Sequence, residues 1–197
     1  DVYKRQDPLY ALCEEADVPL LMHIGGHLGA MDAAWGAVAG LEARPGTDGG
    51  EPVGPFDIAT FHFGPQAFLT AMILGGVFER FPRLRMGVIE LGAQWVGPMA
   101  DLLDQRVKRF RQRLSDNVVL LPSEYLQRNV RVTPFWFEPV DEYVDRYGLE
   151  EVYVYSSDFP HPEGGTDPID QFYGCVGRLG DAAVERFFVT NGELILP

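Results

Sequence analysis

The sequence predicts an α/β fold built on parallel strands. Four short apolar segments of strand type, at 18–23, 84–90, 129–133 and 151–157, alternate with helical segments along the 197-residue chain. Strands that alternate with helices form parallel sheets with right-handed crossovers. Four strand–helix units are half of a (β/α)8 TIM barrel, which typically needs about 250 residues. The sequence is therefore expected to form part of such a barrel.

Helical patterns fill the intervals between these strands. Asp7 suits the N-cap and Pro8 the first position of a helix at 7–16. A short helix is predicted at 31–41 and a Gly- and Pro-rich loop at 43–55. The segment 56–81 is apolar on nearly all sides, so we expect a deeply buried helix. Shorter helices follow at 122–127, 139–147, 168–176 and 182–188.

A long helix is predicted at 95–114, with a stripe of apolar residues facing the core. The stripe consists of Met99, Leu102, Leu103, Val107 and Phe110. Five basic residues lie in the later part of this helix, where cations interact favourably with the helix dipole. A solvated face explains them without a specific anion site.

Three predicted strands end in side chains that can act as metal ligands or proton carriers. These side chains are His23, Glu90 and Asp158, and His161 follows Asp158 in a Pro-containing turn. In parallel sheets, reactive groups lie where strands end, because strands are rigid and loops leave room for a substrate. Three such ends favour one shared site on one edge of the sheet.

Each candidate also has a structural interpretation. Asp158 can cap the following turn, and His161 can fix that turn by hydrogen bonds. Glu90 can form a structural salt bridge with an arginine. His27 and His62 lie in loop-like or helix-entry positions, where solvent-facing histidines are common.

Composition excludes several classes of function. The formal net charge of −13 argues against nucleic acid or an anionic membrane as partner, although it permits a small anionic substrate. The two cysteines, Cys13 and Cys175, lack metal-ligand spacing, and a reducing cytosol fits them best. Apolar runs stay far below the roughly 18 residues that span a membrane. The polar segment 1–6 is interpreted as a non-native leader, which leaves 7–197 as the domain.

Four stretches together resemble the amidohydrolase-2 branch of the amidohydrolase superfamily, the group of aminocarboxymuconate-semialdehyde decarboxylase and γ-resorcylate decarboxylase. They are 19–23 (PLLMH), 76–85 (GVFERFPRLR), 90–98 (ELGAQWVGP) and 156–164 (SSDFPHPEG). The resemblance implies a (β/α)8 barrel with one divalent metal, usually zinc or manganese. It also implies that this chain corresponds to the C-terminal half, about strands five to eight.

The resemblance assigns roles to individual residues. His23 matches the metal-binding histidine at the end of the fifth strand. Asp158 matches the aspartate after the eighth strand, which binds the metal or handles a proton. Glu90 stands where characterised decarboxylases have a catalytic histidine, so hydrolysis and decarboxylation both stay open. His161 is expected to contact the substrate or a metal ligand.

The resemblance also implies a part that this sequence lacks. The family's first strand supplies a His-x-His or Glu-x-His pair, and neither pattern occurs among these residues. The full-length protein is expected to be a metal-dependent hydrolase or carboxy-lyase for a small carboxylated or cyclic substrate. The alternative is an inactive half-barrel that needs a partner. Because its edge strands would be open, the chain is expected to self-associate as a homo-oligomer.

Overall fold

The computed structural model describes residues 2–24, 34, 37, 39–40, 54–113, 118–161 and 164–196. Its centre is a parallel sheet of three strands in the order β1-β2-β3. The strands are β1 (Leu20–His23), β2 (Met86–Ile89) and β3 (Val130–Val132). The parallel α/β arrangement predicted from the sequence is confirmed for these three segments.

The fourth predicted strand, 151–157, is reduced to a single parallel bridge between Val132 and Tyr153. Val132 donates its N–H to the carbonyl of Val152, and Val154 donates to the carbonyl of Val132. The N–H of Tyr155 points to the opposite side of the strand and donates to the carbonyl of Phe187. The next bond of the ladder to β3 would be donated by residue 134 to the carbonyl of Val154, and Pro134 has no N–H, so the pairing ends there.

Nine α-helices surround the sheet in the part of the chain that the structure describes. They are α1 (Val2–Glu15), α2 (Pro55–Thr60), α3 (Phe63–Leu74), α4 (Val77–Arg80), α5 (Val96–Phe110), α6 (Pro122–Asn129), α7 (Val140–Tyr147), α8 (Pro168–Val176) and α9 (Asp181–Glu185). A π-helical turn, Arg186–Thr190, follows α9. None of the described helices has the length and apolar character needed to cross a bilayer.

The first helix starts earlier than predicted. It begins at Val2 and contains Pro8 in its interior, so the predicted start at Pro8 is wrong. Asp7 does not act as the N-cap. Its carboxylate instead accepts hydrogen bonds from Nε and Nη2 of Arg80, 3.1 and 2.9 Å away. This ion pair fastens α1 to the end of α4.

The predicted helix at 56–81 is divided into α2, α3 and α4. The second break falls at Gly76, whose φ of 69° lies in the left-handed region that glycine adopts without strain. Burial is as expected in α3 and α4, where Leu69, Met72, Ile73 and Phe78 are at most 2% exposed. It is wrong for α2, which has no buried residue and leaves Ile58 59% exposed. The apolar pattern thus predicted the burial of the later part and concealed the breaks.

On α5 the buried stripe is narrower than predicted. Met99, Leu103 and Val107 are buried, whereas Leu102 and Phe110 are 46% and 40% exposed. Leu102 lines an outer groove of about 570 Å³ between α5, α6 and α7. The predicted helix at 31–41 and loop at 43–55 lie outside the described residues, apart from a few isolated positions.

The strand register separates two faces of the sheet. Residues paired across the strands are Leu20, Met86 and Val130, then Leu21, Gly87 and Arg131, then Met22, Val88 and Val132. The first and third sets pack into the hydrophobic core beneath the helices. Because side chains alternate along a strand, the second set and His23 lie on the other face. The strand ends of that face form the candidate site.

Candidate active site

Glu90 follows β2 directly and turns back over the strand ends. Its φ of 60° is left-handed, a conformation that costs a non-glycine residue about 1–2 kcal/mol. Its N–H donates to Oγ1 of Thr133, 3.0 Å away, just after β3. Its side chain is only 11% exposed. The surrounding contacts thus keep the Glu90 carboxyl group inside the site although its backbone conformation is unfavourable.

Asp158 has the same unusual backbone conformation, with a φ of 53°. Its carbonyl accepts the N–H of His161 at 2.8 Å, and the carbonyl of His161 accepts the N–H of Gly164 at 3.1 Å. A Cβ on Gly164 would overlap the carbonyl oxygen of Ser157 and lie 3.2 Å from Cβ of Asp158. The turn therefore requires glycine at 164 to keep Asp158 in place.

Three side chains lie around Glu90. Its Oε2 lies 2.8 Å from Nε2 of His23, and its Oε1 lies 3.5 Å from Nδ1 of His161. The same nitrogen of His161 lies 3.4 Å from Oδ1 of Asp158. One ligand atom each from Glu90, Asp158 and His161 falls within 4.8 Å of the others. The ends of β2 and of the 151–157 segment therefore come together, whereas His23 at the end of β1 contacts Glu90 and lies outside the set of three ligand atoms.

His23 is oriented by the backbone. Its Nδ1 lies 2.7 Å from the carbonyl oxygen of Ile24, which can only accept a hydrogen bond. Nδ1 therefore bears the proton, and Nε2 is directed at Glu90. Metal-binding histidines usually donate one ring N–H to a carbonyl or carboxylate in this way, which fixes the tautomer and leaves the other nitrogen for the metal.

Burial raises the pKa of Glu90, and the neighbouring Asp158 raises it further. The imidazoles of His23 and His161 act in the opposite direction. Oε2 of Glu90 is buried and forms no hydrogen bond, so its 2.8 Å approach to His23 lacks hydrogen-bond alignment. The site thus concentrates two carboxyl groups where a proton or a cation would be stabilised.

A small cavity of about 20 Å³ adjoins these groups, enough for about one water molecule. Its lining includes Glu90 and Asp158 on one side and Phe135 and Trp136 on the other. The ring of Phe137 stacks on that of Phe135 at 5.6 Å. The larger outer groove contains none of the strand-end residues. The chemistry therefore lies beside the smaller cavity.

The remaining candidates lie elsewhere. His62 begins α3, its ring packs edge-on against Phe63, and burial lowers its pKa. His27 lies outside the described residues. In the described part of the chain, the basic side chains in contact with Glu90 are histidines and not an arginine.

Sequence reasoning missed Thr133, the aromatic wall at 135–136 and Glu138. Thr133 ends a predicted strand, so the rule that identified Glu90 could also have found it.

These strand-end groups can be compared with known proteins. A family model described as amidohydrolase matches residues 1–196. The chain belongs to the amidohydrolase-2 family. The resemblance noted in the sequence is thereby confirmed. No curated protein matches this amidohydrolase chain.

Solved structures share its fold. Amidohydrolase map2389c from Mycobacterium avium subsp. paratuberculosis K-10 is 25% identical, with a TM-score of 0.73 over 98% of this chain and 46% of its own. Metarhizium anisopliae IDCase in apo form is 17% identical, with a TM-score of 0.67 over 97% and 51%. The 5-carboxyvanillate decarboxylase LigW from Sphingomonas paucimobilis is 19% identical, with a TM-score of 0.61 over 95% and 52%. The chain spans about half the length of these proteins.

Proposed function

We propose that this chain provides the proton-transfer and metal-binding part of an amidohydrolase-2 active site. The reaction would be hydrolysis or decarboxylation of a small carboxylated or cyclic molecule. The observation that supports this most is that His23, Asp158 and His161, from two strand ends, lie around Glu90 at the end of a third. The chain would correspond to strands five to eight of a barrel, in a cytoplasmic enzyme.

The donor set suits a divalent metal. Imidazole nitrogen and carboxylate oxygen are the ligands of zinc and also accept manganese. We assign His23 and Asp158 as ligands. Glu90 can join them, because its ligand atom lies within 4.8 Å of those of Asp158 and His161 and its Oε2 lies 2.8 Å from Nε2 of His23. A related 5-carboxyvanillate decarboxylase has been solved with manganese and 4-hydroxy-3-methoxy-5-nitrobenzoic acid. A bound metal would polarise a substrate carbonyl or carboxylate, or lower the pKa of bound water.

The chain's own residues divide the remaining tasks. Glu90, whose pKa is raised by burial and by Asp158, is suited to give and take a proton. Asp158 would hold the metal or receive a proton. His161, with a side chain that is 56% exposed, would meet the substrate at the mouth of the site. Phe135 and Trp136 line the cavity and offer aromatic surface against which a planar or cyclic substrate can pack.

A titration with Co²⁺ tests the metal part of the proposal, because a protein-bound cobalt ion has a visible absorption spectrum. The wild-type chain should bind one equivalent, and His23→Ala or Asp158→Asn should weaken binding at least tenfold. His62→Ala is the matched control, since it removes a histidine outside the site, and it should bind as the wild type does. Equal binding by wild type and His23→Ala would refute the ligand assignment.

The alternative, a half-barrel that is inactive until a partner covers it, has one observation in its favour. Leu21, on the same face as His23, is 56% exposed in the isolated chain. Turnover of a panel of carboxylated phenols by the purified 197-residue protein would contradict this alternative. Turnover only after a second half-barrel is added would support it.

A further inference from the structure

Glu138 is the most buried acidic residue among the described parts of the chain, at 5% exposure. Burial raises the pKa of its carboxyl group. Its hydrogen-bond partners are backbone N–H groups and a phenol, and not a basic side chain. Oε1 accepts the N–H of Phe135 at 2.9 Å, and Oε2 accepts the hydroxyl of Tyr143 at 3.2 Å. A carboxylate buried in this way needs a reason other than a salt bridge.

The backbone groups that Glu138 holds belong to the two loops of the candidate site. The N–H of Ala93 lies 3.1 and 3.0 Å from its two carboxylate oxygens, and Gln94 adds a further backbone hydrogen bond. Ala93 lies three residues after Glu90, in the loop that follows β2. Phe135 lies in the loop that follows β3 and lines the site cavity. A single carboxylate thus connects the loop of Glu90 to the aromatic wall.

The loops fit closely around this carboxylate. Gly92 has a φ of 65°, and a Cβ there would lie 3.0 Å from Oε1 of Glu138 and 3.2 Å from the ring of Phe135. Closer to the strands, Glu90 donates its N–H to Thr133. Two contacts therefore connect the loops: the hydrogen bond from Glu90 to Thr133 at the strand ends, and the hydrogen bonds to Glu138 farther from the strands. Loss of the hydrogen bonds to Glu138 should weaken the one between Glu90 and Thr133.

We infer that Glu138 is a positioning residue that holds Glu90 and the aromatic wall at 135–136 in their working arrangement. The inference rests on the proposed function for what that arrangement does, but the arrangement itself can be measured without a substrate or a metal. All the groups directed at Glu138 are donors. A glutamine there would direct its own N–H₂ at one of them and leave that donor unsatisfied.

Glu138→Gln is the test, and Asp104→Asn is its matched control. Asp104 also uses a carboxylate to tie two elements, since it accepts the N–H and the hydroxyl of Ser123 at 2.9 and 2.8 Å. It lies in the outer groove, away from the strand ends. Amide hydrogen exchange, followed by NMR on the metal-free full chain, gives the first readout. Co²⁺ affinity, with the metal ion alone, gives the second.

In Glu138→Gln we expect amide exchange at least tenfold faster at Ala93, at Phe135 and also at Glu90, with the amides of β2 and β3 unchanged. Co²⁺ affinity should fall about 10- to 100-fold, as when a group supporting metal ligands is removed. In Asp104→Asn, faster exchange should be confined to Ser123, and Co²⁺ affinity should stay within about twofold of wild type.

Faster exchange at Ala93 and Phe135 without any change at Glu90 would overturn the inference, because Glu138 would then serve its own loops only. If wild type binds no Co²⁺ but the exchange pattern is as expected, the metal proposal fails and the positioning role stands. If Glu138→Gln does not fold, Tyr143→Phe removes a single donor, and it should raise exchange at the same three amides about threefold. Unchanged exchange in that variant would refute the role.

Discussion

The two faces of the sheet differ in what they contribute. On the face beneath the helices, Met86, Val88, Val130 and Val132 are at most 2% exposed. On the other face, Leu21 is 56% exposed, and the strands end in the polar groups around Glu90. The first face supplies the burial that stabilises the fold, whereas the second holds ionisable groups and strained backbone. The difference indicates that burial on the first face offsets the free-energy cost of the site on the second.

The difference in stability between the two faces is tested most directly by truncating one side chain on each face. Met86→Ala should lower the free energy of unfolding by about 2–5 kcal/mol, because it leaves a cavity in a packed core. Leu21→Ala should lower it by less than about 1 kcal/mol, because Leu21 is mostly in water. Urea unfolding of both variants, at a concentration where sedimentation shows a monomer, gives the numbers. Equal losses would mean that Leu21 contributes as much to the folded chain as the buried Met86 does.

Replacing a glycine by alanine should change stability by a smaller amount, and in opposite directions inside and outside the site. Gly164→Ala should destabilise the chain by about 1–3 kcal/mol, because the new methyl group meets the carbonyl of Ser157 and the side chain of Asp158. Gly174→Ala, inside α8, meets nothing within 4 Å and should stabilise it by about 0.5–1 kcal/mol. Thermal melts of the two variants are the measurement. A tolerated alanine at 164 would show that the turn of Asp158 can relax.

Self-association tests whether the second face is a surface that expects a partner. Val18 and Leu21 lie on or beside the edge strand β1 and are 49% and 56% exposed. We expect the wild-type chain to sediment as a homo-oligomer at low micromolar concentration, and Leu21→Lys to shift it towards monomer. Leu102→Lys is the control, because Leu102 is also exposed but lies on the outer groove. A wild-type monomer with a cooperative melt would refute this prediction.

The smallest effect is the pH dependence that Glu90 adds to stability. Its pKa is raised in the folded chain by burial and by Asp158, so the folded state binds this proton more tightly than the unfolded state does. The corresponding stability is present below the unfolded pKa of about 4.3 and is lost as pH rises through the folded pKa.

Urea unfolding from pH 4 to 8 in a chelator, compared between wild type and Glu90→Gln, measures this contribution. The advantage of wild type should shrink as pH rises. An advantage that grows with pH would contradict the raised pKa.

The sequence predicted the strand-end residues of this site but not the residue that supports them. His23, Glu90 and Asp158 could be found because an apolar strand that stops at a polar residue is visible in a single chain. Glu138 could not, since Ala93, the partner that links it to the loop of Glu90, lies 45 residues away in the sequence and meets it only in the folded chain. The breaks within 56–81 were hidden for a related reason: the apolar pattern continues across them. The fourth strand is reduced to a single bridge because Pro134 has no N–H to donate to Val154, and the sequence alone does not show that these two residues face each other.

The central claim, that three strand ends form one metal centre, is tested most directly by anomalous diffraction at the zinc absorption edge from zinc-soaked crystals. The account predicts one strong peak about 2.0–2.2 Å from Nε2 of His23 and a carboxylate oxygen of Asp158, with Glu90 in the same cluster. The peak should be absent from crystals of Asp158→Asn. Zinc bound only away from these strand ends in the wild-type crystals would contradict the account.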